Sequence, residues 1–107
     1  MAVRFVRWSR SKYNATPTMI DGIRFASKKE ADFYNVLKVY KRAGDVCFFL
    51  RQVPFDCGGG VRYVLDFMVF YKTGEVKFID VKGMRTRTYI NKKKQVEVSY
   101  DINIEEV

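Results

Sequence analysis

The 107-residue sequence contains no histidine. That absence excludes imidazole general bases, Ser-His-Asp and Cys-His nucleophile systems, and every zinc site with a histidine ligand. Any hydrolysis has to rely on carboxylates, lysine, tyrosine and a hard cation, which means Mg²⁺ or Mn²⁺ held by oxygen ligands. Cysteine is nearly as scarce. Cys47 and Cys57 are too few for a disulfide framework and lack metal-ligand spacing, so they read as free thiols. No apolar run reaches the roughly 18 residues that span a bilayer, and the N-terminal "MAVRFVRWSRSKYN" has no apolar signal core. A cytoplasmic protein is expected.

What is present is positive charge: 20 Lys and Arg against 12 Asp and Glu, a net charge of +8. Such a surface attracts polyanions before any specific contact forms, and nucleic acid is the leading partner; the plainer alternative is a merely basic, soluble protein. The length suits one small domain and is too short for two. Residues 1–18 are basic and irregular, with Arg4, Arg7, Arg10 and Lys12 around Trp8, and form an arm ahead of a single domain over residues 19–107.

Asp21-Gly22 between apolar flanks predicts a tight hairpin. "SKKEADFYNVLKVYKRAG" (27–44) predicts a helix: Ser27 is a natural N-cap, Phe33, Leu37 and Tyr40 recur at helical spacing, and Gly44 stops it. "VCFFLRQVPF" (46–55) reads as a strand with Pro54 at its margin, and "DCGGG" as a loop. "VRYVLDFMVFY" (61–71) has the two-faced apolarity of a central strand. "KTG" turns the chain into "EVKFIDVK" (75–82); residues 89–98 give a second helix, and "YDINIEEV" a last strand. The expected fold is α/β (α+β) in the order α-β-β-β-α-β, a four-stranded mixed sheet flanked by helices.

Strand alternation places Asp80 and Lys82 on one face with Val76 and Phe78. A three-residue loop, Lys72-Thr73-Gly74, pairs residue 71 with 75 and hence Asp66 with Asp80; Gly74 fits the left-handed position that closes such a loop. Two adjacent aspartates repel at neutral pH, which raises one pKa or recruits a cation. The alternative is a buried Asp-Lys ion pair beside a protonated aspartate. Glu30 falls at the N-terminal end of the apolar stripe of the first helix and faces the sheet, although a capping box with Ser27 explains it equally well. Three carboxylates and a lysine in a +8 chain without histidine suggest Mg²⁺-dependent phosphodiester hydrolysis, the cation bridging Asp66, Asp80 and the Val81 carbonyl, with Lys82 acting on the water or phosphate.

Asp66 followed by Asp80-Val81-Lys82, with a helix glutamate upstream, resembles the PD-(D/E)xK nuclease superfamily, which has the restriction-endonuclease-like fold. More narrowly, "DGIRFASKKEADFY", "QVPF", "YVLDF", "IDVKG" and "YDINIEEV" resemble small phage and prophage endonuclease-like proteins. Leu65 stands where the motif has proline. The resemblance implies Asp66 and Asp80 as metal ligands for Mg²⁺ or Mn²⁺, Lys82 as the catalytic lysine, Glu30 as an accessory ligand, and the host cytoplasm as the location. Arg85, Arg87, Lys92 and Lys94 are candidate phosphate contacts, or else a solvated basic face. Gln52, in a strand beside the site, is expected either to touch its water network or a phosphate or to be a polar residue on a strand margin. "CGGG" lacks the ending of a P-loop; Trp8 and Tyr13 either stack on bases or anchor the arm. Cutting two DNA strands with so short a chain implies a homodimer. The second reading is a nuclease-like DNA-binding subunit that does not cut alone, part of a recombination or packaging complex.

Overall fold

A computed structural model describes residues 17–81 and 85–107. The basic arm therefore lies almost wholly outside the described residues, as do Trp8, Tyr13 and Lys82. The chain forms β1 (Thr18–Ile20), β2 (Ile23–Phe25), α1 (Lys28–Ala43), β3 (Val46–Gly58), β4 (Val61–Tyr71), β5 (Val76–Asp80), α2 (Arg87–Tyr100) and β6 (Ile104–Glu106). β1 and β2 make a separate hairpin, and the other four strands form one sheet in the order β3-β4-β5-β6. Its first two pairings are antiparallel and β6 is parallel to β5, so the sheet is mixed, as expected.

Local chemistry sets the boundaries. Asp21 and Gly22 both have positive φ, 55° and 76°, as a two-residue hairpin turn requires. Ser27 Oγ accepts the Glu30 N–H at 3.1 Å, and Gly44, at φ 91°, closes α1 with its N–H on the Lys41 carbonyl. β3 continues past Pro54 to Gly58; it is an edge strand, where a missing N–H is tolerated. α2 begins two residues earlier than its β-branched sequence suggested, because Thr86 caps it, Oγ1 accepting the Tyr89 N–H at 3.1 Å.

The turn between β4 and β5 has the expected form. Tyr71 N–H donates to the Glu75 carbonyl at 2.9 Å, Gly74 takes φ 93°, and the ladder runs Phe70–Val76, Met68–Phe78, Phe67–Ile79. One step further along this register Asp66 meets Asp80.

The sheet is covered on both faces. Toward α1, a core of Phe25, Phe33, Leu37, Phe67, Val69 and Ile79 is fully or almost fully buried. Toward α2, a smaller cluster gathers Tyr63, Leu65, Val96 and Ile104 with Phe55 and Phe78 packed against it. Unbroken alternation would put residues 63, 65, 67 and 69 of β4 on one face. Instead Tyr63 and Leu65 belong to the α2 cluster and Phe67 and Val69 to the α1 core; in β3, Phe49 packs on the α1 core whereas Val53 and Phe55 pack toward α2. The change of face falls between the Arg51–Phe67 and Val53–Leu65 pairs, and the pairing offset is the same on either side. No residue is inserted. Gln52, a non-glycine residue at φ 52°, rotates the strand there, and its neighbour across the ladder is Asp66.

Candidate functional site

The change of face delivers three buried residues in succession, Leu65, Asp66 and Phe67. Asp66 and Asp80 are 8% and 0% exposed, so both carboxylates are committed to protein contacts. They are joined reciprocally through backbone: Asp66 N–H donates to Asp80 Oδ1 at 3.1 Å, and Val81 N–H donates to Asp66 Oδ2 at 2.9 Å. The simple picture of two carboxylates side by side on one flat face therefore changes. Each reaches across the β4–β5 junction to the other strand, and each then looks toward a different helix.

From Asp66 the connection runs toward α1. Gln52 Nε2 donates to Glu30 Oε2 at 3.1 Å and approaches Asp66 Oδ1 at 3.4 Å. Glu30 is 6% exposed and its carboxylate faces the sheet, with Arg51 at 3.9 Å. Ser27 does accept the Glu30 backbone N–H, so the N-cap is real, yet the glutamate side chain serves the Gln52 bridge. Gln52 thus has a more definite place than its sequence suggested: it bridges two of the three expected carboxylates.

From Asp80 the connection runs toward α2. Tyr89 Oη donates to Asp80 Oδ2 at 3.2 Å and to Glu106 Oε2 at 2.8 Å. One hydroxyl has one proton for two acceptors, so the proton is shared or alternates between them. Burial, followed by the hydrogen bond to Glu106, pushes the Tyr89 hydroxyl far above its ordinary value of 10, so it stays protonated and able to donate. Arg85 Nε lies 3.3 Å and Lys93 Nζ 3.8 Å from the same Glu106 oxygen, closing the chain with positive charge.

Neither Tyr89 nor Glu106 was expected from sequence. A signal for Tyr89 was present: it stands seven residues before the buried Val96, on the same helix face, and three after its cap Thr86. Nothing in the sequence announces Glu106, because its position depends on the parallel register that sets Asp80 opposite it.

Of the expected basic residues, Arg85 sits in this network, Arg87 is the first residue of α2, Lys92 lines a cavity beside Tyr89, and Lys94 is exposed. Lys82 and Gly83 lie outside the described residues. Among the described residues no group of three or more acidic or thiol side chains stands ready-assembled as a metal cage. The donors that do converge are all oxygens. Cys47 and Cys57 are free thiols away from the carboxylates, Cys47 exposed and Cys57 on the α2 cluster.

Residues 10–105 match the family described as "Protein of unknown function (DUF1064)", and the chain belongs to that family. A comparison with the curated proteins finds no match. No helix among the described residues is long and apolar enough to cross a membrane.

Proposed function

We propose that the protein is a metal-dependent endonuclease of the PD-(D/E)xK type, hydrolysing phosphodiester bonds in DNA during phage recombination, replication or DNA processing. The observation that carries this reading is the reciprocal Asp66–Asp80 pair, buried at the β4–β5 junction of a chain with net charge +8. A protein that only bound DNA would gain nothing from negative charge clustered next to a phosphate.

The donor chemistry fits Mg²⁺ or Mn²⁺: carboxylates of Asp66 and Asp80 with the adjoining Val81 carbonyl are hard oxygen ligands, and Glu30 is placed behind them through Gln52. When bound, the cation supplies Lewis acidity toward the phosphate and an acidified water. The chain's own residues do the rest. Gln52 holds Glu30 and Asp66 in one network, and Tyr89 fixes the orientation of Asp80 by donating to it. Lys82, by the resemblance of the Asp80-Val81-Lys82 run, neutralises charge on the reacting phosphate. Arg85, Arg87, Lys92 and Lys94 furnish positive charge on the α2 side for the strand backbone. A homodimer in the host cytoplasm, each copy cutting one strand, completes the proposal.

The test is strand cleavage on a panel of labelled duplex, flap, junction and single-stranded substrates with Mg²⁺, Mn²⁺ or EDTA. Cleavage is expected with either metal, none in EDTA, and none from a folded Asp80→Asn variant, whose amide cannot replace a charged ligand. DNA binding without cleavage on every substrate would favour the non-cutting subunit instead.

A further inference from the structure

Next to the carboxylate site, and sharing Tyr89 with it, lies an open cavity of about 320 Å³ whose lining includes Arg62, Tyr63, Thr86, Thr88 and Lys92. Its chemistry is one-sided: two cations and four hydroxyl-bearing side chains line it, and no carboxylate does. Arg62 and Lys92 have no ion-pair or hydrogen-bond partner among the described residues. Asp56, opposite Arg62 across the ladder, turns its Oδ1 instead to the Gly58 N–H at 2.9 Å. Thr86 Oγ1 accepts the Tyr89 N–H, which leaves its own O–H to donate. The first turn of α2 contains no acidic residue and begins with Arg87, so beyond the Thr86 cap no internal negative charge offsets the positive end of that helix.

An observation independent of the helix points the same way. Among the described residues the Tyr63 hydroxyl has no hydrogen-bond partner; it is buried, in a residue only 4% exposed that lines this cavity. A buried donor left unpaired is unfavourable, and native structures rarely keep one without a use.

We infer that this cavity is a phosphate subsite. Cations and hydroxyl donors with no opposing acceptor select an oxyanion over a metal ion or a neutral sugar. Arg62 and Lys92 neutralise the phosphoryl charge while Thr86 and Thr88 donate to its oxygens. The occupant is a phosphate of the nucleic-acid strand. That assignment rests on the phosphodiester reading above, whereas the preference for an oxyanion does not. Because Tyr89 both walls the cavity and donates to Asp80, a strand anchored here is set in register with the carboxylate pair.

The experiment uses the whole protein without divalent cation, probed with inorganic phosphate and with otherwise identical oligonucleotides bearing a 5′-phosphate or a 5′-hydroxyl. Phosphate is expected to shift the backbone amide resonances of Thr86, Thr88 and Tyr89. In Arg62→Ala/Lys92→Ala these shifts should vanish, oligonucleotide affinity should fall about tenfold, and the salt slope should flatten by about one counterion. Thr88→Val, which leaves both charges in place, should weaken the phosphate shifts and guards against misfolding of the double variant. Tighter binding of the 5′-phosphorylated strand makes the occupant a terminal phosphate; equal binding makes it a backbone one. An unchanged salt slope in the folded double variant overturns the proposal. Phosphate bound here by a protein that cuts no strand upholds the subsite and removes the nuclease reading. Cleavage by the double variant with an unaltered KM removes the subsite and leaves the nuclease reading in place.

Discussion

The two faces of the sheet differ in kind. Toward α1 the interior is apolar and aromatic: Phe33 packs on Phe67 with centroids 5.3 Å apart, Phe25 on Tyr34 at 5.0 Å, and Leu37 is fully buried. Toward α2 the helix itself buries only Val96, within a smaller cluster that includes Leu65 and Ile104, and polar groups lie beside that cluster: a tyrosine hydroxyl between two carboxylates, a pair of threonines, cations and an open cavity. A small domain has apolar area for one good core. Here the larger core is on one face, and the other carries a smaller cluster with polar and charged groups beside it. Gln52 and Asp66 sit where the strands exchange faces, so the carboxylate pair joins the two sides, Asp66 through Gln52 to Glu30 of α1 and Asp80 through Tyr89 of α2.

The largest effect expected is from changing the turn that sets the pair. One residue inserted into or deleted from Lys72-Thr73-Gly74 shifts the β4–β5 register and turns one aspartate away from the other. Cleavage should disappear, measured on the folded variant; retained cleavage would show that the register does not build the site. Next comes stability. Leu37→Ala on the α1 face should cost about 2–5 kcal/mol, as deletions in tight cores do. Val96→Ala, losing fewer carbons from a smaller cluster, should cost no more than about 2 kcal/mol. Urea unfolding measures both, and equal losses would erase the contrast between the faces.

The smallest effects distinguish two tyrosines. Tyr71 lies on the α1 core with a buried hydroxyl that has no hydrogen-bond partner among the described residues, whereas Tyr89 donates to Asp80 and Glu106. Tyr71→Phe should leave cleavage unchanged and stability unchanged or slightly higher. Tyr89→Phe should cost about 0.5–1.5 kcal/mol of stability and about tenfold in cleavage, because Asp80 loses its orienting donor. Burial is the first cause that raises both hydroxyls above the ordinary value of 10. In the folded protein they keep protons that the unfolded chain releases above that pH. Their contribution to stability is therefore full below pH 10 and falls as pH rises beyond it. Tyrosinate absorbance during an alkaline titration should show this pair ionising after the exposed tyrosines.

Much of the fold was legible in the sequence because its punctuation is local. Asp21-Gly22, Gly44 and Gly74 mark boundaries by a backbone conformation that few residues adopt and Ser27 by its capping side chain, and all four hold in the structure. The Asp66–Asp80 pairing followed from the turn alone. The exchange of faces was not legible, since it depends on a left-handed glutamine, a residue type that gives no warning of positive φ. The same holds for Glu106, which reaches the site through a parallel pairing fixed only by the complete fold. Tyr89 lay between these cases: the helix face was readable, the carboxylate it meets was not.

The central claim is that Asp66 and Asp80 together hold a hard divalent cation. Paramagnetic broadening by Mn²⁺, followed in the amide spectrum as the metal is added alone, tests it most directly. Resonances of residues 66, 67, 80 and 81 should broaden first, and Mg²⁺ in excess should restore them. Asp80→Asn should remain folded and lose that selective broadening. Broadening confined to surface carboxylates such as Asp32 and Glu75, or identical in wild type and Asp80→Asn, would contradict the account.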